Sequence, residues 1–212
     1  MDSKVSAVID KLTEAYPKPL DAQSGHDPFR TLVRCILSQR TRDSNSQRAA
    51  EALFSRASTP SDILGLSCQE LHDLIRCSGF YRQKAKHIRG TSRALMERHD
   101  GEVPRDRETL VALPGVGPKT ADIVLTHCFG EAAIPVDVHV SRVSRRLGLA
   151  PMNASPEGTQ SILHTLIPRE KYLFYDRSVV RLGKEFCRKT KPRCGECPLN
   201  DCCDHLKPNK GL

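Results

Sequence analysis

The residues of this chain best suited to chemistry are a group of cysteines near its C-terminal end. Cys187, Cys194, Cys197 and Cys203 are separated by six, two and five residues. Four thiols in so short a segment predict a shared metal site. Zinc sites made of four cysteines usually contain two Cys-x2-Cys pairs, and this segment has one. The unequal spacings favour a cubane iron–sulfur cluster, with zinc, and a register that uses Cys202 in place of Cys203, as alternatives.

A basic segment, which we call the basic loop (residues 188–193), lies between the first two of these cysteines. Its cations are Arg188, Lys189, Lys191 and Arg193. Residues 181–212 hold eight basic and four acidic side chains, which is half of the formal net charge of +8. A basic loop held at both ends by a metal site is suited to binding phosphates without reading base sequence. A solvated surface loop is the alternative.

A glycine-rich turn occurs at residues 113–121, which read Leu-Pro-Gly-Val-Gly-Pro-Lys-Thr-Ala between two apolar helical segments. Glycines allow the backbone to turn tightly, so that its amides and the start of the next helix can face an anion. The pattern predicts a helix-hairpin-helix motif in which the backbone of Gly115, Val116 and Gly117 binds DNA. A tight connection without a ligand is the alternative.

Lys119 stands at the start of the second helix of that motif, where a cation is electrostatically disfavoured. The positive helix end favours the neutral amine, which can attack a sugar carbon and form a Schiff base. Most lysines in such places are only solvated. Asp137 follows eighteen residues later, directly before another predicted helix. It is expected to cap that helix whether or not it also takes part in catalysis.

Composition narrows the class of protein around these candidates. The 212 residues are enough to bury a core without disulfides, so size does not explain nine cysteines. The odd cysteine count and a first segment without a secretory pattern predict an intracellular protein, in the cytoplasm or nucleoid, with reduced thiols. No apolar run is long enough to span a bilayer. A pI near 9.1 favours a polyanionic partner.

Helix signals dominate the chain and predict an all-α fold. Residues 59–62 (Thr-Pro-Ser-Asp) and residues 67–70 (Ser-Cys-Gln-Glu) each carry a capping pattern that should begin a helix. Apolar residues then recur at spacings of three and four residues through most of the chain.

Two smaller patterns concern the valines before a predicted helix and the remaining cysteines. Val136, Val138 and Val140 alternate as a strand would, but one strand has no partner, so we expect an extended lead into a helix. The cysteines outside the C-terminal group fall in helical patterns and are most simply small core residues; they are Cys35, Cys68, Cys77 and Cys128.

Taken together, these segments resemble endonuclease III, a family of DNA base-excision repair enzymes. The resemblance rests on residues 113–121, on Val-Asp-x-His at 136–139, on Gly-Glu-Val-Pro at 101–104 and on the cysteine spacing, and it covers nearly the whole chain. It implies two helical lobes. The first is a six-helix barrel at residues 21–130 with the helix-hairpin-helix at about 107–128. The second combines residues 1–20 and 131–212, with a cluster loop at 187–203.

The resemblance also assigns roles to single residues. It implies that Lys119 is the nucleophile and Asp137 the catalytic carboxylate. His139, Ser38 and Asp43 match polar residues of the pocket for the damaged base. An exposed hydroxyl for Ser38 and a helix-start carboxylate for Asp43 are the alternatives.

The resemblance places Phe80 where an apolar side chain wedges into the duplex, although a core aromatic is the alternative for this residue. One departure affects the same region. The family commonly has Leu-Ser-x-Gln, whereas here Gln39 comes one place earlier and Arg40 takes that position. Either side chain could fill the space that a flipped base leaves.

The implied function is a bifunctional DNA glycosylase and abasic-site lyase that carries a [4Fe-4S] cluster. It would remove damaged pyrimidines, which we expect to be oxidised, and cleave 3′ to the abasic site by β-elimination. It would act as a monomer on double-stranded DNA that contains damaged bases or abasic sites. Mismatch-specific glycosylases of the same superfamily are alternatives, and they depart at the lysine position. A further alternative is a non-catalytic, cluster-bearing DNA-binding protein.

Overall fold

The computed structural model describes residues 3–17 and 26–206, and within those ranges every regular element is a helix. The prediction of an all-α protein is therefore confirmed. The described residues fall into two compact units. We call residues 26–131 the hairpin unit, and residues 3–17 together with 132–206 the cysteine unit.

The described residues form eleven α-helices and four short 3₁₀ helices. In chain order the α-helices are α1 (Ser3–Ala15), α2 (Pro28–Ser38), α3 (Asp43–Phe54), α4 (Pro60–Gly65), α5 (Cys68–Ile75), α6 (Tyr81–Arg98), α7 (Arg107–Val111), α8 (Pro118–Phe129), α9 (Val138–Arg146), α10 (Pro156–Leu166) and α11 (Tyr172–Glu185). The 3₁₀ helices are Arg169–Lys171, Cys194–Glu196, Asn200–Cys202 and Asp204–Leu206.

The hairpin unit holds helices α2 to α8, which makes seven in its described residues where the resemblance implies six. Two of them, α4 and α7, are only six and five residues long. Segments of this length show little apolar periodicity, so that pattern gives little information about them, and α4 is identified by its capping residues instead.

Two helices of the hairpin unit begin at the capping patterns found in the sequence. The Ser67 hydroxyl accepts a hydrogen bond from the Glu70 amide at 3.1 Å, and the Glu70 carboxylate accepts one from the Ser67 amide at 2.8 Å. Thr59 and Asp62 form the same reciprocal pair at 3.1 and 3.0 Å. These bonds satisfy amides that a helix start leaves open, so local sequence fixes where α4 and α5 begin.

Each unit has its own hydrophobic core. In the hairpin unit, α2 packs against α3, α6 and α8. Its side chains Leu32, Val33, Ile36 and Leu37 are fully buried and recur at the spacing of one helical face. The helix that carries them therefore fixes the position of the segment that follows Ser38.

The core of the cysteine unit is built from α1, α9, α10 and α11. Leu12 and Tyr175 are fully buried within it, and Leu199 of the C-terminal segment is buried as completely. An apolar side chain therefore fixes the segment between Cys197 and Cys203 to the core.

The valine-rich stretch before α9 behaves as expected. Residues 131–137 have no regular secondary structure, and α9 begins at Val138 with Asp137 as its N-cap. The prediction that this stretch leads into a helix is confirmed.

The expectation of small core cysteines is wrong for Cys68, which is exposed at the first position of α5. Cys35, Cys77 and Cys128 are partly buried. The helical pattern alone did not show which face of α5 carries the thiol. No helix in residues 3–17 and 26–206 is long and apolar enough to cross a membrane.

Candidate active site

The hairpin turn (residues 113–117) connects α7 to α8 in the hairpin unit. The Val116 amide donates to the Leu113 carbonyl at 3.1 Å. Gly115 has a φ of +78°, a left-handed conformation that glycine adopts without steric cost. Pro118 then opens α8, and its fixed φ suits the first position of a helix. The chain therefore enters α8 directly from the turn, and a helix start of this kind favours an anion.

Helix α6 supports the hairpin turn from behind. The Thr91 hydroxyl donates to the Pro114 carbonyl at 2.7 Å. An added Cβ at Gly115 would lie 2.7 Å from atoms of the His87 ring, and one at Gly90 would lie 3.1 Å from Pro114. Side chains of the turn and of α6 therefore pack closely against glycines of the other segment, and this packing sets the position of the turn.

An ion pair joins the two helices of the hairpin. Arg107, the first residue of α7, donates from Nε to the Asp122 carboxylate of α8 at 2.8 Å. The Asp122 side chain is 4% exposed, whereas that of Arg107 is 47% exposed. Because loss of one partner would leave a buried charge, the pair stabilises the angle between α7 and α8.

Lys119 is an exposed side chain in the first turn of α8. Burial raises the pKa of the Cys35 thiol on α2 to about 11, and the Lys119 charge acts in the opposite direction. This interaction places Lys119 near Cys35, on the side where α2 packs against α8.

A cavity of about 440 Å³ opens beside α2 and α3. Most of its lining residues carry polar groups; they are His26, Thr31, Arg34, Cys35, Ser38, Ser46, Gln47, Ala50, Glu51 and His127. Ser38, a predicted pocket residue, lies in this wall together with Cys35, the neighbour of Lys119. Asp43 does not line the cavity and is exposed at the start of α3.

The segment after α2 contacts the hairpin turn. Gln39 donates from its side-chain amide to the Gly115 carbonyl at 2.9 Å. Arg40 is exposed and has a φ of +49°, which is unusual for a residue other than glycine. The two candidates for filling the vacated space thus differ, because Gln39 is bound to the turn whereas Arg40 extends from a left-handed backbone.

Phe80 is 67% exposed and caps α6 with a φ of +58°. The alternative of a core aromatic is excluded by this exposure. Gly79 directly precedes Phe80 and lies where two segments approach each other closely. An added Cβ at Gly79 would lie 3.1 Å from the Arg40 carbonyl oxygen. The structure therefore brings Phe80 and Arg40 onto neighbouring segments of the hairpin unit.

Asp137 and His139 lie in the cysteine unit. One Asp137 carboxylate oxygen accepts hydrogen bonds from the amides of His139 at 2.7 Å and Val140 at 2.8 Å. The predicted N-cap role of Asp137 is confirmed, and these bonds fix the orientation of its carboxylate. His139 is partly buried and its Nδ1 lies 3.0 Å from Nη2 of Arg142.

The C-terminal cysteines influence one another electrostatically. Burial raises the pKa of the Cys197 thiol, and the thiols of Cys187, Cys203 and Cys194 add to the rise. In residues 3–17 and 26–206, no three or more His, Cys, Asp or Glu side chains are arranged to hold a metal ion. The four thiols are thus neighbours but do not converge on one point. Arg146 of α9 donates to the Cys187 sulfur at 3.4 Å.

Cys202 and Cys203 have different surroundings. The Cys203 thiol donates to the Arg146 carbonyl at 3.3 Å, and its pKa is raised first by burial and then by Cys187 and Cys194. The Cys202 thiol donates to the Leu199 carbonyl at 3.4 Å, and the side chains that act most strongly on it are Lys11 and Asp201. Cys203 therefore faces the other cysteines of the group.

Hydrogen bonds from Arg146 hold the backbone of the basic loop. Arg146 donates to the carbonyls of Arg188 at 2.8 Å and Lys189 at 3.3 Å. Arg188, Lys189 and Lys191 are exposed. Arg193 is exposed as well, but it donates from Nε to the Glu196 carboxylate at 2.9 Å, so part of its charge is compensated. The four predicted cations are therefore not equivalent.

Known proteins are similar to this chain in sequence and in fold. Residues 33–169 match the profile of the HhH-GPD superfamily of base excision DNA repair proteins. The chain is 43% identical to endonuclease III of Thermotoga maritima over 85% of this chain and 84% of that protein, and 36% identical to that of Bacillus subtilis over 99% and 96%. A trapped endonuclease III–DNA covalent intermediate superposes with a TM-score of 0.88, at 34% identity and 97% coverage of each chain.

The chain belongs to the endonuclease III family. It is accordingly a DNA glycosylase and abasic-site lyase of base excision repair, and the sequence-based prediction of that activity is confirmed. Lys119, Ser38, Gln39, Arg40, Asp43 and Phe80 lie in its hairpin unit, whereas Asp137, His139 and the cysteine group lie in its cysteine unit.

Three residues of this endonuclease III family member were missed by the sequence analysis. Lys84 of α6 is 3% exposed and makes three hydrogen bonds within the hairpin unit. Its place on the apolar face, four residues before buried Ile88, was a signal that could have found it. Arg142 and Arg146 hold backbone carbonyls of residues distant in sequence, and nothing local marks them for that role.

The hairpin geometry makes a testable distinction between its two glycines. Gly115→Ala should lower the free energy of unfolding by about 2 kcal/mol or more, because alanine is strained at positive φ and its Cβ would meet His87. Gly117→Ala should lower the free energy of unfolding by no more than about 1 kcal/mol, because Gly117 has an extended backbone and an added Cβ meets no atom within 4 Å. Urea denaturation measures both, and equal losses would contradict the account of the turn.

Proposed function

We propose that this enzyme removes oxidised pyrimidines from duplex DNA through a Schiff base on Lys119 and then cleaves the strand 3′ to the abasic site. The observation that carries the proposal is the position of Lys119. Lys119 lies in the first turn of a helix that begins at a supported hairpin turn, near Cys35 in the wall of the cavity. The endonuclease III of the trapped DNA covalent intermediate supports a covalent step in this family.

A base stacked in a duplex is out of reach, so the damaged nucleotide must first be extruded. Extrusion costs a few kcal/mol, and least for a lesion that already stacks badly, which contributes to selectivity. Exposed Phe80 enters the duplex, and Arg40 or Gln39 fills the space left behind. Ser38, Asp43 and His139 supply polar contacts to the extruded base.

The amides of Gly115, Val116 and Gly117 hold the phosphate next to the extruded nucleotide. Their position is fixed because α6 supports the turn from behind. The exposed cations of the basic loop bind further phosphates without reading sequence.

Lys119 attacks C1′ of the sugar as the bond between C1′ and the damaged base breaks. The neutral amine carries the electron pair that forms the new C–N bond. Asp137, its carboxylate oriented by the amides of α9, stabilises the positive charge that develops on the sugar and accepts the proton that the amine loses.

The C1′–O4′ bond then breaks, its electron pair goes to O4′, which takes up a proton, and the sugar ring opens to an imine between Lys119 and C1′. This imine acidifies the protons on C2′. Removal of one such proton moves its electron pair into a new C2′–C3′ double bond and expels the 3′ phosphate. The strand therefore breaks on the 3′ side of the abasic site by β-elimination, and hydrolysis of the imine releases the lysine.

Cys187, Cys194, Cys197 and Cys203 would hold a [4Fe-4S] cluster. A cubane takes one thiolate at each of four irons, so its ligands need not meet at one point, which suits four neighbouring thiols. A guanidinium donor at Cys187 is the kind of contact that supports a ligating sulfur. When bound, the cluster supplies folding energy to the C-terminal segment and holds the cations of the basic loop toward phosphate.

We further propose that the hairpin unit is the six-helix barrel lobe of the family and the cysteine unit its cluster lobe. The enzyme acts on its DNA as a monomer. A mismatch-specific glycosylase is the second candidate within the superfamily. Lys119 argues against it, because removal of a base by water alone needs no amine at that position.

Substitutions of Lys119 and Asp137 should impair different steps of the reaction. Lys119→Gln should abolish strand cleavage, a loss of roughly a thousandfold or more, because no other group forms the imine. Asp137→Asn should slow base removal roughly a hundredfold while DNA affinity is largely kept, because its charge is needed in the transition state. Single-turnover assays on thymine-glycol DNA measure both, with Lys86→Gln as a surface control. Normal cleavage by Lys119→Gln would refute the proposed function.

The basic loop should show unequal contributions to DNA binding. Neutralising Lys189 and Lys191 together should flatten the dependence of log affinity on log salt by about 2, because two phosphate contacts are lost. Arg193→Gln should change the slope less, since Glu196 already compensates part of its charge. Binding titrations from low to moderate salt test this, and an unchanged slope in the double variant would indicate a solvated loop.

The adjacent residues Cys202 and Cys203 should differ in whether they bind the cluster. Cys202→Ser should retain iron and the visible absorbance of an iron–sulfur cluster, whereas Cys203→Ser should lose both. The reason is that Cys203 faces Cys187 and Cys194 whereas Cys202 is turned toward the Leu199 carbonyl. Iron analysis of the purified variants decides the matter, and the reverse result would exchange the two assignments.

A further inference from the structure

Lys84 is a buried cation whose amine binds three oxygen atoms. Its Nζ donates to the Leu37 carbonyl at 2.7 Å, to the Thr41 hydroxyl at 2.7 Å and to the Ser78 hydroxyl at 2.9 Å. The side chain is 3% exposed. An ammonium group has three N–H donors, so these acceptors match its full capacity.

All three acceptors of Lys84 are uncharged, so the ammonium is stabilised by hydrogen bonds alone. Burial lowers its pKa to about 8. Burying a charge costs free energy that an apolar side chain at this position would not cost. A cation buried among uncharged acceptors therefore contributes mainly by fixing the positions of the groups to which it is bonded.

The groups that Lys84 joins belong to two segments. Leu37 and Thr41 flank Gln39 and Arg40, and Ser78 directly precedes the turn that presents Phe80. The same hydroxyls extend the network, since the Thr41 hydroxyl accepts from the Gly79 amide at 3.0 Å and the Ser78 hydroxyl donates to the Leu37 carbonyl at 3.0 Å.

Both segments contain a strained residue. Arg40 has a φ of +49° and Phe80 a φ of +58°. Residues other than glycine keep such conformations only where the surrounding structure imposes them. Lys84 is bonded to a neighbour of each, within one residue of Arg40 on one side and within two of Phe80 on the other.

We propose that Lys84 is a positioning residue for base extrusion, which locks the segment of Gln39 and Arg40 against the turn of Phe80 so that both face the duplex together. The role rests on the proposed function, in which these side chains open the stack and fill it. Lys84 itself does not touch DNA or the reacting atoms in this arrangement.

The first test uses the full-length protein without DNA. Lys84→Met keeps the apolar stem and removes the donors, and Lys86→Met changes an exposed lysine of the same helix. Hydrogen–deuterium exchange at residues 38–42 and 79–83 should become at least roughly tenfold faster in Lys84→Met, because the bonds that close these segments are lost. Unchanged exchange there, or an equal change across the hairpin unit, would overturn the positioning role.

The second test separates extrusion from chemistry. Turnover of thymine glycol in duplex DNA should fall roughly tenfold in Lys84→Met, because misplaced side chains open the stack poorly. Cleavage of a preformed abasic site in single-stranded DNA should stay within about twofold, since no stack has to be opened. Equal losses on both substrates would contradict the proposal.

A second variant keeps the test decisive if Lys84→Met does not fold. Thr41→Val removes the hydroxyl that accepts from both Lys84 and the Gly79 amide, while Lys84 keeps its bonds to Leu37 and Ser78. It should show the same selective loss on duplex DNA. Its failure to do so would overturn the proposal. If the wild-type protein cleaves neither substrate, the proposed function fails, whereas the exchange measurement still decides whether Lys84 holds the two segments.

Discussion

The contact between the hairpin turn and α6 is the constraint on which the candidate active site depends. Gly115 has no side chain because the ring of His87 occupies the space where a Cβ would lie, and Thr91 holds the carbonyl of the preceding residue at 2.7 Å. Since α8 begins directly after the turn, the packing on α6 also determines where Lys119 stands. Gln39, bonded to Gly115, ties the segment after α2 to the same support.

In the cysteine unit, helix α9 fixes the positions of several groups. Asp137 caps α9 and is oriented by its amides, and the same helix carries Arg142 and Arg146. These guanidinium groups donate to backbone carbonyls at Gly183, Cys187, Arg188 and Lys189. A single short helix therefore fixes the candidate catalytic carboxylate and the backbone of the basic loop, whose own exposed cations extend outward.

Local signals in the sequence explain what could be predicted. The starts of α4, α5 and α9 follow from side chains within three residues, so capping patterns identified them correctly. The hydrogen bonds of Lys84 to Leu37 and Thr41, and that of Gln39 to Gly115, join residues far apart in sequence and depend on how helices pack. The exposure of Cys68 was missed for the same reason, because a helical pattern does not by itself show which face is covered.

In the proposed mechanism, Lys119 is the group that joins to the sugar. The direct measurement is to reduce the reaction of wild-type enzyme and thymine-glycol DNA with borohydride, digest the trapped adduct and locate the modified residue by mass spectrometry. A deoxyribose remnant on the peptide that contains Lys119 is the predicted result. A remnant on another amine, or base removal without any trapped adduct, would contradict the account.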